Sequence, residues 1–475
     1  MTPQYDKDLG AGLVVTANQA AADAGASALA AGGTAVDAAV AAAFALCVAD
    51  PANCGVGGYG GFLVYAPPSD APVLVDFNTW APARLDPSFL RVPGAVTDFA
   101  EGGASVAPPA VVAGLLAAHD AFGRLPLAEL VAPSVGLAAD GFIVGFSAAL
   151  ALRQHWERTG GGEPEFARIF YPDGGPPEHG SRLVQTDLAG TLENIAATGV
   201  EAFRKGPIVD AICAATVADG GFLEPSDFSE DRVVVGPAET LTLKTAVIHG
   251  APRATSGAGL VFPALEAIDF DRLGANREAA YVEELGGALR AAWAARAGSA
   301  EAGLNARHTT HLSTADAAGG MVALTFTHGP WCGSGVVAPG TGILLNGGAN
   351  LFAPTNEGPL AVTNMSPVIV DLKNGERHAF GATGGPRIPA FVLTSIVDVT
   401  HYGSSLSAAI AAPHLAIRVA DGELEVEPEL APFARPDVKL LRAGEGFGPE
   451  LGITRKPGEW VSAVDPRFEH GRASA

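Results

Sequence analysis

TTHLSTADAAGGMVALTFT, residues 309–327, reads as two short runs of alternating character joined by a turn over Asp316 to Gly320. Folding one run onto the other sets Thr309 opposite Thr327 and His311 opposite Thr325. Opposed side chains in an antiparallel pair have Cβ atoms about 4.5–5.5 Å apart, so two threonines meet on one face. Alternation then places Thr309, His311, Ser313, Thr325 and Thr327 together, with Val322, Leu324 and Phe326 on the other, apolar side. A hydroxyl face backed by an apolar face also describes an ordinary half-exposed strand pair. The surrounding glycines favour a site. Gly333-Ser334-Gly335, Gly340-Thr341-Gly342, Gly347-Gly348 and Gly384-Gly385 crowd the same half of the chain, where backbone N–H groups could approach a ligand closely.

Working outward, residues 16–51 predict two helices separated by a break. Asn18 caps the first, Gly32-Gly33 stops it and Thr34 caps the second. Val36, Val40, Phe44 and Cys47 form a stripe on that second helix, and alanines nearly everywhere else allow close packing. The turn Gly55–Gly61 matches Gly-x-Gly-x-x-Gly, but the apolar runs Phe62–Tyr65 and Val73–Phe77 after it read as strands, so a dinucleotide site is not expected. From Pro108 to Ala300 the pattern is mainly helical, as in Val111–Phe122 and Asp187–Thr198, interrupted by a β-rich piece over Arg232–Ile248. After Thr309 the chain is sheet-rich, with helix near Ser405–Ala411 and a closing turn at Asp465-Pro466-Arg467. It shows neither an internal repeat nor a low-complexity linker.

At 475 residues, 48% of them apolar, the chain can bury a large core. Its formal charge of -22 argues against a nucleic-acid partner, which requires a surface rich in Lys and Arg. The longest apolar run, Ala38 to Ala49, falls well short of the roughly 20 residues of a membrane-spanning helix. The first residues lack a basic then apolar leader pattern, so cytoplasm is the expected compartment. Cys47, Cys54, Cys213 and Cys332 show no Cys-x-x-Cys spacing and are expected as reduced, packed thiols.

The motifs TTHLSTADAAGGMVALTFT, CGSGVVAPGTGILLN, NMSP and GATGGPRI resemble the small-subunit motifs of γ-glutamyltranspeptidases. GGTAVDAAVA, FGRLPLAELVAPSVGLAADGF, LVQTDLAGTLENIA and EAFRKGPI resemble the large subunit, in order, so the similarity runs from about Gly10 to Arg467. The resemblance implies an α+β fold, a four-layer αββα sandwich of the N-terminal nucleophile hydrolases. It further implies autocatalytic cleavage between His308 and Thr309, giving associated subunits 1–308 and 309–475. Thr309 would be nucleophile and, through its freed α-amine of pKa about 7.7–8.0, its own base. Thr327 would hold that hydroxyl, and the backbone of Gly384 and Gly385 would form the oxyanion hole. No cofactor is implied. A zinc site on His308, His311 and His328 is not expected, because no carboxylate stands at ligand spacing and cleavage removes His308 to another chain. No Gly-x-Ser-x-Gly elbow points to a serine hydrolase either.

The chain departs from the family where the γ-glutamyl group is gripped. Asn78, in DFNTWAP, stands in place of the arginine that holds the α-carboxylate. Asn350 and Leu351 replace the paired aspartates that bind the α-amine, Thr363 and Asn364 replace a serine pair, and Gly329 replaces an asparagine. Arg387 survives beside the oxyanion glycines, as a substrate contact or as a salt bridge fixing its loop. Few residues separate Phe352 from Met365, leaving little room for a lid. The expectation is an amidohydrolase for a small amide other than an ordinary γ-glutamyl compound. The alternatives are a genuine γ-glutamyltransferase whose grip has moved, and a processing-dead binding or scaffold protein. Further homo-oligomerisation is left open.

Overall fold

Alternation at 309–327 becomes the central hairpin of a computed structural model, which describes residues 12–85, 101–229, 232–297, 308–355, 358–418, 421–441, 448–456 and 459–475. His308–Asp316 pairs antiparallel with Met321–Gly329, with Thr325 opposite His311 and Phe326 opposite Thr310. The strict register expected between Thr309 and Thr327 does not continue. The ladder shifts beyond Phe326 and resumes with Gly329 opposite His308, so two residues of one strand face one of the other. This is a bulge, and it bends the strand end where Thr309 lies.

The hairpin is the middle of a seven-stranded antiparallel sheet, ordered Gly471–Ser474, Gly12–Thr16, His308–Asp316, Met321–Gly329, Gly60–Ala66, Val73–Asp76, Val234–Pro237. A six-stranded antiparallel sheet faces it, ordered Glu459–Val464, Glu450–Lys456, Arg377–Ala382, Val368–Leu372, Ala246–Gly250, Glu239–Thr242. Val15, Phe62, Val64 and Ala323 of the first sheet meet Ile369, Ala379 and Ile453 of the second in one apolar layer. Leu324 and Phe326 point the other way, into a core with the helices Ala35–Ala49 and Val111–Phe122. A third core joins the second sheet to Ala258–Ala267, Ala279–Ala297 and Ile388–Thr400. The layers are therefore helix, sheet, sheet, helix.

Asn18 and Thr34 cap their helices as expected, the second through a capping box with Asp37. The stripe on the second helix does not survive, because Ala35–Ala49 is buried on every side. The neighbouring helix comes so near that a Cβ on Gly25 would stand 2.9 Å from the Ala38 carbonyl oxygen. The helix Ile388–Thr400, outside the sequence reading, is likewise buried all round, and its polar residues Thr394, Ser395 and Asp398 face protein instead of solvent. All four cysteines are buried and free. Among the described residues no helix is long and apolar enough to cross a membrane.

The buried helix is fixed at its start by carboxylates. Asp37, fully buried, accepts from the backbone N–H groups of Thr34 and Arg124, and from the Thr34 hydroxyl at 3.1 Å. Asp316, from the central hairpin, accepts the Ala35 N–H at 2.8 Å. Asp37→Ala strands several donors, and buried hydrogen bonds to charged groups are worth about 1.5–3 kcal/mol each. Loss of at least about 3 kcal/mol is expected in urea unfolding, with Asp37→Asn losing less because one acceptor oxygen remains.

Candidate active site

The hydroxyl-rich face of the hairpin lies between the two sheets, so the half-exposed strand pair is ruled out. His311, Ser313, Thr325 and Thr327 are fully buried, and Thr309 is 6% exposed. Most of this polar strip satisfies itself. His311 Nδ1 meets the Thr325 hydroxyl at 2.8 Å, its Nε2 meets Ser313 Oγ at 3.1 Å, and Ser313 donates to the Ala379 carbonyl. Burial lowers the His311 pKa to about 3, so the ring is a neutral structural bridge at physiological pH. Thr327 Oγ1 accepts the Gly329 N–H at 2.8 Å across the bulge, which fixes that hydroxyl at the strand end.

Thr309 stands where the strip opens. Together with Thr383 and Gly384 it lines a cavity of about 510 Å³. Gly384 follows the strand Arg377–Ala382 and has φ of 111°, a conformation that L side chains rarely adopt. The Thr383 N–H donates to the Pro449 carbonyl at 3.0 Å, tying the loop to a neighbouring cavity wall. Gly385 then opens a short turn that leads into Ile388–Thr400. The sequence motifs Thr-Thr-His and Gly-Gly, far apart in the chain, are thus brought to one cavity.

The other cavity walls come from Asp50 and Asn53 after the buried helix, Phe146 and Leu150 of the helix Phe146–Thr159, Trp331, and Arg467 to Glu469. Sequence reading missed these residues. Asp50, a lone acid ending the long apolar run, was the one signal available. Arg467 is clamped by Asp465 and Glu427, with Nε 2.7 Å from Asp465 and Nη1 2.6 Å from Glu427. Glu469 accepts the Phe146 N–H at 2.8 Å.

The residues at the γ-glutamyl grip positions lie elsewhere, and none of Asn78, Thr363, Asn364 and Arg387 lines this cavity. Asn78 donates to the Ala361 carbonyl at 2.8 Å, linking two strand ends. Arg296 donates to the Thr363 carbonyl at 2.6 Å and to Asn364 Oδ1 at 3.4 Å, and loss of hydration lowers its pKa to about 10. Arg387 forms a salt bridge with buried Glu425 at 2.8 Å. Asn350 sits in the turn Gly348–Leu351, and its side chain, like that of His308, falls outside what the structure describes.

The model of the γ-glutamyltranspeptidase family matches residues 21–301 and 293–475. The chain belongs to the γ-glutamyltranspeptidase family. Glutathione hydrolase proenzyme of Escherichia coli (strain K12) is 30% identical, over 96% of this chain and 90% of its own length. Acylase ACY 1 proenzyme of Pseudomonas sp. (strain SE83) is also 30% identical, over 91% and 86% respectively. The crystal structure of cephalosporin acylase from Bacillus halodurans superposes with a TM-score of 0.85 at 22% identity, covering 100% of this chain and 97% of that one. This γ-glutamyltranspeptidase-family chain therefore has the αββα fold of the N-terminal nucleophile hydrolases and is an enzyme acting on amide bonds.

Proposed function

We propose that the chain is the precursor of an N-terminal-threonine amidohydrolase whose substrate is not an ordinary γ-glutamyl compound. The observation that carries this reading is that Thr309 and Gly384 line one cavity. Cleavage between His308 and Thr309 would yield subunits 1–308 and 309–475, which stay associated because the central hairpin belongs to the same sheet as Gly12–Thr16 and Gly60–Ala66. In the processed enzyme the α-amine of Thr309 takes the proton from its own hydroxyl as Oγ attacks the amide carbon. The N–H groups of Gly384 and Gly385 receive the developing oxyanion, and Thr327 holds the attacking hydroxyl in line. Collapse expels the substrate's amine with that proton and leaves an acyl-threonine ester, which water then hydrolyses with the Thr309 α-amine as base.

The altered specificity is supported by the walls. Phe146, Leu150, Trp331 and Phe468 make them largely apolar, and the arginine there is already held by two carboxylates. Such a cavity suits an uncharged acyl or amine group better than a free amino acid head. A second reading, a true γ-glutamyltransferase with a relocated grip, is favoured by one observation: Arg296 touches Thr363 and Asn364. Intact-mass measurement of purified protein should show two chains, one ending at His308 and the other beginning at Thr309. A fully active preparation made only of the uncut chain would overturn the cleavage.

A further inference from the structure

Asp50 ends the buried helix as its C-cap, and its carboxyl is held almost out of water at the wall of the cavity that Thr309 lines. A rail of side chains orients it. Trp331 Nε1 donates to Asn53 Oδ1 at 3.1 Å, and Asn53 Nδ2 donates to Asp50 Oδ1 at 2.8 Å. All three residues line the cavity. Burying a carboxyl costs free energy unless partners meet it, and the donors near this one are the Asn53 amide at 2.8 Å and the Thr310 hydroxyl. On the proposed reading, cleavage before Thr309 creates a cation beside the same cavity.

We propose that Asp50 is a positioning residue for the nucleophile: its carboxylate receives the α-amino group freed at Thr309 and balances the ammonium that forms during acyl transfer. The inference rests on the proposed cleavage. When Oγ of Thr309 bonds to the amide carbon, its proton passes to the α-amine. The resulting ammonium faces the Asp50 carboxylate until the proton leaves on the departing nitrogen as the carbon–nitrogen bond breaks. Asp50 itself gains neither bond nor proton over the cycle.

Before cleavage, burial pushes the Asp50 carboxyl up to about 7, with the Asn53 amide and the nearby Thr310 hydroxyl acting against it. A facing ammonium draws it back towards ionisation, and the carboxylate in turn raises the amine pKa. The other titratable groups around the pair are the buried thiols of Cys54 and Cys47, with Arg467 and Glu469 on the cavity wall. Substitution of Asp50 leaves all of these in place.

The test compares wild-type and Asp50→Asn enzymes on the anilide that the wild type hydrolyses fastest, with intact mass measured first. The amine must be neutral to act as base, so kcat/KM rises with pH through its pKa. Asp50→Asn removes the opposite charge, which lowers that pKa, so the rising limb should move to lower pH by about one unit or more. The same lost interaction should lower plateau kcat about tenfold or more while KM stays near its wild-type value. A cleaved variant with unchanged limb and plateau would overturn the proposal. So would an uncut one, by placing Asp50 in the cleavage step instead. Should Asp50→Asn not fold, Asn53→Ala keeps the carboxylate but frees its orientation. It is expected to lower kcat without raising KM, and wild-type kcat there would equally overturn the proposal. A wild type that remains uncut marks failure of the underlying reading, not of Asp50 alone.

Discussion

Thr309→Ala is expected to leave one uncut chain with no detectable amide hydrolysis. Without the hydroxyl no N-to-O acyl shift can begin at this peptide bond, and no free amine or nucleophile is produced. Two steps are lost with one oxygen atom, which makes this the largest single effect expected anywhere in the molecule. The fold should persist. Thr309 sits at the end of a ladder whose pairs from Thr310 to Ala315 are untouched, and the substitution removes little volume. Thr327→Ala provides the contrast: a folded protein with kcat lowered roughly a hundredfold, the scale of removing one preorganised hydrogen-bonding group. Intact mass and turnover measured on both variants check the pair. Normal hydrolysis by Thr309→Ala would place the nucleophile elsewhere.

Poor use of γ-glutamyl substrates is the second large effect expected. An α-carboxylate held by arginine gains charge-assisted hydrogen bonds worth about 1.5–3 kcal/mol each. Asn78 offers no charge and spends its amide on the Ala361 carbonyl, while Leu351, fully buried, cannot receive an ammonium. Two lost charged contacts correspond to roughly two or more orders of magnitude in kcat/KM at 1.36 kcal/mol per decade. γ-Glutamyl-p-nitroanilide should therefore be cleaved at least a hundredfold less efficiently than an anilide whose acyl group lacks the amino acid head, on the same scale. Glycylglycine should add little as acceptor. Efficient γ-glutamyl transfer to it would restore the second reading, and Arg296→Ala would then show whether the grip has moved beside Thr363 and Asn364.

The sequence alone determined the parts of this protein that depend on local periodicity and turn chemistry. The hairpin at 309–327, the helix breaks at Gly32-Gly33 and the caps at Asn18 and Thr34 were legible because each is fixed by residues within a few positions of one another. The Thr-Thr-His and Gly-Gly motifs, and the loss of the arginine at Asn78, were legible as a resemblance. What remained hidden was everything that depends on burial from several sides. Ile388–Thr400 and Ala35–Ala49 are surrounded by protein, so polar residues such as Asp37, Ser395 and Asp398 face protein and mark no solvent face.

Tertiary structure also decided the register at Thr309, because the ladder shifts past Phe326 and bends the strand end there. It decided that the hydroxyl face lies between two sheets, where His311 is held neutral and saturated instead of acting as a ligand or base. It placed Asp50, Asn53 and Trp331 on one cavity with Thr309, although a long stretch of sequence separates the first two from Thr309. Sequence spacing records neighbours along the chain. A cavity is made by segments that meet only after the sheets have closed over one another, and only that closure brings Thr309 to the cavity wall beside Gly384.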